Sequence, residues 1–558
     1  MTVTEALQNS TIFPYLLPLV SSILLTQLLM PMVVRLAQRL GAVDQPNERK
    51  VHVNAMPRMG GLAFFFSIFL IPFTLVDIHA ATQGFLLGLV IITCTGVADD
   101  IFDITPKLKL FGVLVGTGFF LVMSGVEIVN LGDLIATGNI ETGWFAIPLT
   151  LIGMVGFINA LNLSDGLDGL AAGISLIVSF FLGCFAFIIG DQDSLMIAIV
   201  LFGAMIGFLY FNSHPAKVFM GDTGSLILGF VLSGLSLLLI KSGEGAVVSP
   251  ISMGILLGLP LSDTLYVMIR RIIRGTSPFE ADKTHFHHRL IDLGLTHAEV
   301  VGVFYGLVFL YGCTAVFFSG SLEWVQSLAL LVLIAASYVP LILLERAGFS
   351  FAIPAQTGES EPSTDNETSF FYFMTHHLGR SIPLVTWGFP LLLLLPVLSI
   401  KYSQEYVFLM ATVMILVVLL YPWKGNRDAS WSQGLLYLLV FMLLLAINRS
   451  EQLWVENYMF FLTSLLACWV MLKLWFKRHL RVFLTTGLES LLLVFSWIVP
   501  WLTGHFNLLP SDLQQILYMV CLQSVIFLLA TKIVLRRQPR RNKQLLISLL
   551  VLAGISFI

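Results

Sequence analysis

The chain has 558 residues, of which 57% are hydrophobic and 11% charged, with a mean hydropathy of +0.90 and a formal net charge of −3. A soluble domain of ordinary composition carries about 25% charged residues, so this composition is that of a polytopic membrane protein. With a net charge of only −3, no basic surplus argues for a nucleic-acid partner. The 5 cysteines (Cys94, Cys184, Cys313, Cys468, Cys521) stand singly in or beside apolar runs, with no metal-cluster or disulfide spacing.

Met1–Ser10 contains no Lys or Arg and so lacks the basic start of a cleavable signal peptide; it reads as a short tail before a membrane anchor. Apolar runs of about 20 residues are long enough to cross a bilayer. Such runs predict helices at 12–34, 61–78, 82–98, 108–129, 143–160, 170–190, 194–211, 223–241, 247–269, 300–319 and 324–344. After a polar gap, further runs lie at 382–399, 405–422, 431–448, 454–472, 482–502, 514–535 and 544–558, the last of them short. The expected fold is all-α, a polytopic membrane helical bundle of 17–18 transmembrane helices.

Counting basic residues in alternating loops puts 27 of the 30 Lys and Arg on the side that follows the first span. Only Lys241, Lys401 and Arg449 fall opposite. Basic residues favour cytoplasmic loops, so that side is expected to be cytoplasmic and the amino terminus outside.

Five polar clusters all fall on this expected cytoplasmic side. The first runs Asp44-Gln-Pro-Asn-Glu-Arg-Lys-Val-His52, then Pro57-Arg-Met-Gly-Gly61. Arg49, Lys50, His52 and Arg58 are candidates to meet phosphate; ordinary cytoplasmic-side charge explains them equally well. The second is Asp99-Asp100-Ile-Phe-Asp103 at the end of a span, with Lys109 opening the next. Adjacent carboxylates repel each other and sit at the unfavourable pole of the helix dipole. A bound cation or a transferred proton offsets that cost.

The third cluster is Asn159-Ala-Leu-Asn-Leu-Ser-Asp-Gly-Leu-Asp-Gly-Leu-Ala-Ala-Gly173. Asn159, Asn162, Asp165 and Asp168 recur every three residues, on one side of a helical turn. Two carboxylates and two amides converging at a membrane face form an oxygen-rich site suited to a hard cation such as Mg²⁺. A polar loop with turn glycines is the plainer alternative. The fourth, Asn212-Ser-His-Pro-Ala-Lys-Val-Phe-Met-Gly-Asp222-Thr-Gly-Ser225, puts Asp222 before a helix start, where glycines and free N–H groups suit phosphate. Alternatively, Asp222 is a simple helix cap. The fifth, Arg270 to Arg289, holds His285, His287 and His288 beside Arg274, Lys283 and Arg289. Such a set can grip a diphosphate; a transition-metal site is the alternative. Asp263 in the preceding helix is functional or paired, because an acid near the membrane is costly when idle.

The five motifs, in this order, resemble those of the polyprenyl-phosphate N-acetylhexosamine-1-phosphate transferases of glycosyltransferase family 4. The likeness covers residues 12–345. The Arg-Gly-x-Ser-Pro-Phe and His-x-His-His-Arg-Leu runs are most similar to the branch that loads UDP-N-acetylglucosamine onto undecaprenyl phosphate. The resemblance implies a Mg²⁺-dependent enzyme, with Mn²⁺ as the substitute ion, that releases UMP at the cytoplasmic face. It implies Asn162 and Asp222 as metal ligands, and Asp99 or Asp100 as the group that deprotonates or orients the lipid phosphate. Lys109 would contact that phosphate. Asn159, Asp165, Asp168 and Asn212 fall to substrate binding, as do Lys50 and His52. Arg274, His285, His287, His288 and Arg289 resemble a clamp for the donor diphosphate. Direct attack by the lipid phosphate is preferred over a phosphorylated Asp, since the anion is already a nucleophile.

Expected partners are a UDP-N-acetylhexosamine donor, a polyprenyl phosphate acceptor and membrane lipid, with a homodimer left open and no nucleic acid. The expected location is the bacterial inner (plasma) membrane. The expected domains are a transferase core at 1–345, a cytoplasmic linker at 346–381 and a C-terminal membrane module at 382–558. A transporter or a non-catalytic scaffold for glycan assembly is the rival class. Transporter sites tend to lie near the bilayer midplane, whereas these acids sit at helix ends on one side.

Overall fold

A computed structural model describes residues 13–44, 55–76, 79–243, 248–277 and 284–351. Beyond them it describes a helix, Ser511–Arg537, and scattered residues between 393 and 551. The chain divides into two compact units: Thr11–Ile353, and Pro354–Ile558 with Met1–Ser10. Most of the spans expected after residue 382 lie outside the described residues.

In the first unit the helices are α1 (Phe13–Leu40), α2 (Gly61–Leu75), α3 (Ala80–Phe102), α4 (Pro106–Ser124) and α5 (Ala146–Ser164). Then come α6 (Leu170–Ile189), α7 (Gln192–Asn212), α8 (Gly221–Ser242), α9 (Pro250–Leu256) and α10 (Gly258–Ile273). A short α11 (Phe286–Asp292) precedes α12 (His297–Phe317) and α13 (Glu323–Arg346). Two residue pairs, Val43–Asp44 and Met56–Pro57, form a small antiparallel ladder between α1 and α2. Among the described residues, nine helices are long and apolar enough to cross a membrane, ten if the bent pair α9–α10 counts as one. This is an all-α polytopic membrane bundle.

The run at 247–269 is expected as a single helix. It is broken instead, with α9 and α10 bent by 79° at Leu257. Pro260 explains the break: it has no N–H for the carbonyl one turn back, and Gly258 beside it adds freedom.

Helix α8 stands at the centre, with every residue from Thr223 to Leu237 buried. It packs against α2, α3, α5, α6 and α7. Its apolar residues run all round the helix, as a fully enclosed span requires. Small residues let neighbours come close: a Cβ on Gly229 would lie 2.6 Å from the Cα of Ile158 in α5. Phe85, Phe120 and Phe230 form a three-ring cluster joining α3, α4 and α8, with centroids 5.5 to 6.0 Å apart. The turn between α3 and α4 is tight. Asp103 ends α3 in the left-handed conformation (φ 45°), Thr105 caps α4, and Pro106 opens it. That turn brings the end of α3 against the start of α4, and hence Asp99 against Lys109.

In the second unit, buried Asn448 donates to the Oε1 of Gln523 at 2.7 Å, an amide pair joining α14 (Ser511–Arg537) to a neighbouring segment.

Candidate active site

The site is built on the amino-terminal end of α8. Gly221 enters the helix with φ +70°, a conformation that glycine adopts freely. Gly61 of α2 touches the backbone of Gly224, and a Cβ on Gly96 of α3 would lie 2.5 Å from the Cα of Thr223. Two neighbouring helices therefore hold the first turn of α8 backbone to backbone. The Pro57–Gly61 segment adds a ladder: Phe219 N donates to Pro57 O, Gly60 N to Phe219 O and Gly61 N to Met220 O, each at 3.0 Å.

Met220, the N-cap residue of α8, supplies no side-chain acceptor for the free N–H groups of the first turn. Asp100 supplies it from α3. Its carboxylate accepts the backbone N–H of Asp222 (2.9 Å) and of Thr223 (3.0 Å), and the Thr223 hydroxyl (2.6 Å). Both oxygens are used and the residue is buried. Asp100, expected as a catalytic candidate, thus visibly anchors the helix that carries Asp222.

Asp99, one residue earlier, faces elsewhere. The Lys109 ammonium donates to Asp99 at 3.0 Å and also pairs with the Asp222 carboxylate. Asn162, at the end of α5, donates to the same Asp222 oxygen at 2.6 Å and to the Ser225 hydroxyl at 2.7 Å. Four helix ends, from α3, α4, α5 and α8, therefore meet at one constellation: Asp99, Lys109, Asn162 and Asp222, with Ser225 beneath.

The loop from α5 to α6 adds two acids that titrate in opposite directions. The Asp165 carboxyl is pushed up to about 7, first by burial and then by the charges of Asp222, Asp100 and Asp168. Burial also pushes Asp168 up, but hydrogen bonds from His214 and from the Ala216 N–H hold it below the usual carboxylate range. Those bonds are 2.8 Å and 3.1 Å long. Asn212 uses both ends of its amide internally. Its Oδ1 accepts from Gly169 N at 3.0 Å, and its Nδ2 donates to Val218 O at 2.9 Å.

The histidine cluster reaches the same loop. A Cβ on Gly166 would lie 2.6 Å from His287 Nε2, so only glycine admits that ring. Burial, reinforced by His288, pushes His287 down to about 3. Its Nδ1 is buried without a hydrogen-bond partner among the described residues. His285 is held by Asp263, whose carboxylate also accepts the Phe286 N–H (2.9 Å) and the Tyr338 hydroxyl (3.2 Å). The His285–Asp263 contact is 2.9 Å, and both side chains are buried.

Arg289, expected in the donor clamp, instead makes a two-pronged pair with Glu345 of α13, at 2.8 and 2.7 Å, and lies over the Tyr266 ring. His288 is half-buried beside His287; Arg274 and Asn159 are exposed. Lys50, His52 and Lys283 lie outside the described residues. Arg58, quoted above as a phosphate candidate, pairs with Asp44 and lies 3.7 Å from Asp103.

Sequence reasoning left several partners out of the site. Thr223 and Ser225 were legible only as neighbours of Asp222. Glu345, 56 residues from Arg289, carries no local signal. His214 and His297 also went unnoticed as a pair, since 83 residues of chain separate them.

Comparison with known proteins identifies the family. The model of glycosyl transferase family 4 matches residues 82–240, from the first turn of α3 to the last turn of α8, a range that contains Asp99, Lys109, Asn162 and Asp222. The chain is 39% identical over 317 residues to the probable undecaprenyl-phosphate N-acetylglucosaminyl 1-phosphate transferase of Bacillus subtilis, covering 56% of this chain and 87% of that one. It is 34% identical over 315 residues to the decaprenyl-phosphate N-acetylglucosaminephosphotransferase of Mycobacterium leprae, covering 51% and 79%. It is 29% identical over 287 residues to the undecaprenyl-phosphate alpha-N-acetylglucosaminyl 1-phosphate transferase of Escherichia coli, covering 50% and 77%. With its helix ends bearing the family's motifs and a relative matched over most of its length, the chain belongs to glycosyl transferase family 4.

Proposed function

We propose that the protein transfers N-acetylglucosamine 1-phosphate from UDP-N-acetylglucosamine to a polyprenyl phosphate, undecaprenyl phosphate in the first instance. The observation that carries this reading is the Lys109 ammonium bridging the carboxylates of Asp99 and Asp222, with Asn162 on the second. The printed names of the relatives supply the substrate class. In the reaction an oxygen of the lipid phosphate attacks the sugar-side phosphorus of the donor. The bond from that phosphorus to the bridging oxygen breaks, and UMP leaves with the electron pair.

The donor set fits a hard divalent cation. The Asp222 carboxylate, the Ser225 hydroxyl and the Asn162 amide oxygen, once that amide turns over, are oxygen ligands of the class Mg²⁺ takes. The ammonium between two carboxylates marks a position where positive charge is favoured. When bound, Mg²⁺ (or Mn²⁺) would neutralise the donor diphosphate and the charge growing on the leaving oxygen. Lys109 would then turn from Asp222 to the incoming lipid phosphate, and Asp99 would orient that phosphate or take its proton. Asp100 keeps the first turn of α8 in register throughout. His287, beside Gly166, and the adjacent His288 would meet the donor diphosphate.

We place the site at the cytoplasmic face of a bacterial plasma membrane, with the amino terminus outside, on the basic-residue asymmetry of the loops. In the same reading, 1–345 forms the transferase core, 346–381 a linker and 382–558 an accessory membrane module. The test is UMP release by membranes containing the protein, given UDP-N-acetylglucosamine and undecaprenyl phosphate, with Mg²⁺ or with EDTA. Mass analysis of the lipid identifies the product. Release with Mg²⁺ alone is expected; no release in either condition overturns the proposal.

A further inference from the structure

Three segments that are far apart in the sequence converge beside the Asp165 loop without entering the constellation above. Asp168 comes from the α5–α6 loop, His214 from the α7–α8 loop and His297 from the first turn of α12. One ligand-capable atom from each lies within 4.8 Å of the others. Asp168 Oδ2 and His214 Nδ1 are 2.8 Å apart. That separation is a hydrogen bond; two ligands on a tetrahedral ion with bonds of about 2.1 Å stand about 3.4 Å apart, so a metal entering here replaces the hydrogen bond with a shift of about 0.6 Å. The rings of His214 and His297 stack at 4.3 Å, tilted by 20°. One carboxylate therefore faces two imidazoles, and the His297 Nε2 contact to the Asp168 carbonyl, at 3.4 Å, is long for a hydrogen bond.

We propose that Asp168, His214 and His297 form a second metal site, for a transition-metal ion of the zinc class and distinct from the Mg²⁺ position. Two imidazoles and one carboxylate suit zinc; magnesium prefers oxygen alone. The His214 side chain is 45% exposed, so the site opens to solvent and leaves a coordination position for water. The same segments are already laced together beneath it. Tyr305 of α12 donates to Gly169 O at 2.7 Å, and Gly169 N donates to Asn212 at 3.0 Å. An ion bound above would lock the Asp165 loop to the segment that leads into Asp222, stiffening one wall of the pocket.

The test uses the purified full-length protein in detergent, stripped with EDTA and desalted. Co²⁺ is titrated in and its visible d–d absorption followed, with excess Mg²⁺ present throughout. One equivalent per chain is expected, displaced by Zn²⁺, with a rise in the unfolding midpoint when Zn²⁺ is added. His214→Ala and His297→Ala should each lose that equivalent; His288→Ala should keep it, which separates this site from the nearby histidine cluster. His297→Gln serves if the alanine variant fails to fold. No band in the wild type, or an equal band in the His214 and His297 variants, overturns the proposal. None of these readouts depends on turnover.

Discussion

Asp99 and Asp100 are adjacent in sequence, yet the structure assigns them different work, and replacing each by Asn should separate the two. Asp100 accepts three hydrogen bonds from the first turn of α8, at 2.9, 3.0 and 2.6 Å. In Asp100→Asn the amide oxygen keeps the paired Thr223 donors, and the NH₂ then faces the Asp222 N–H, donor against donor. A hydrogen bond to a charged group contributes about 1.5–3 kcal/mol, against about 1 kcal/mol for a neutral one. One such bond is lost and two are weakened, a destabilisation of about 3–5 kcal/mol. Losing the negative charge at the helix amino terminus removes about 0.5 kcal/mol more. Asp99 pairs with Lys109 at 3.0 Å and lies against the Asp222 carboxylate, so its contacts run side chain to side chain and it caps no helix.

Asp99→Asn should therefore unfold within a degree or two of wild type while turnover falls by about 10²–10⁴, the range for a lost acid–base group. Asp100→Asn should lower the unfolding midpoint by many degrees. Its remaining folded fraction should turn over slowly, because Asp222 is displaced. Thermal unfolding in detergent and initial rates of UMP release at saturating substrates measure both. A wild-type midpoint for Asp100→Asn, combined with a rate loss as deep as that of Asp99→Asn, would refute the anchoring role and put Asp100 in the chemistry.

Asp222→Asn should abolish UMP release at any Mg²⁺ concentration while the protein still inserts; near-wild-type rates would remove Asp222 from the site. Gly166→Ala would push a methyl group into His287, 2.6 Å from its Nε2. It should raise the donor KM more than the lipid KM, and an unchanged donor KM would detach His287 from donor binding. Asp165 gives a pH signature in EDTA-treated protein. Its carboxyl titrates at about 7 when folded, above the ordinary 3.8, so the neutral form is favoured by folding. Its contribution to stability is full below about pH 4 and is lost as the pH rises through about 7. Asp165→Asn should flatten that part of the stability profile, and an unchanged slope would show that the acid does not titrate there. Deleting 382–558 should leave lipid loading in membranes intact; loss of activity in an inserted, folded deletion would bring that module into the catalytic account.

The helices and the convergence of motifs were legible because both follow from local rules. Apolar runs of spanning length mark helices, and alternating spans return every second loop to one side. Hence the five motifs could be put on one face from sequence, and the family resemblance then singled out Asp99, Lys109, Asn162 and Asp222, although 123 residues separate Asp99 from Asp222. Sequence spacing does not reveal which partner a polar atom meets once it arrives. Asp100, Asp168, Asn212 and Arg289 sit within the motifs, yet they are spent on Thr223 and Asp222, on His214 and Ala216, on Gly169 and Val218, and on Glu345.

The physical reason is the site's position at helix ends. Each end leaves backbone N–H or C=O groups unpaired, and no bulk water reaches the buried ones. A site made from so many ends must use part of its own polar inventory to satisfy them. Asp100 serves the start of α8, and Asn212 joins the start of α6 to the loop before α8. The residues left over after that internal demand are Asp99, Lys109, Asn162, Asp222 and the His287 edge. In the proposed reaction they are the ones that would meet Mg²⁺ and two phosphates, and substitutions there should act on rate or substrate affinity before they act on stability.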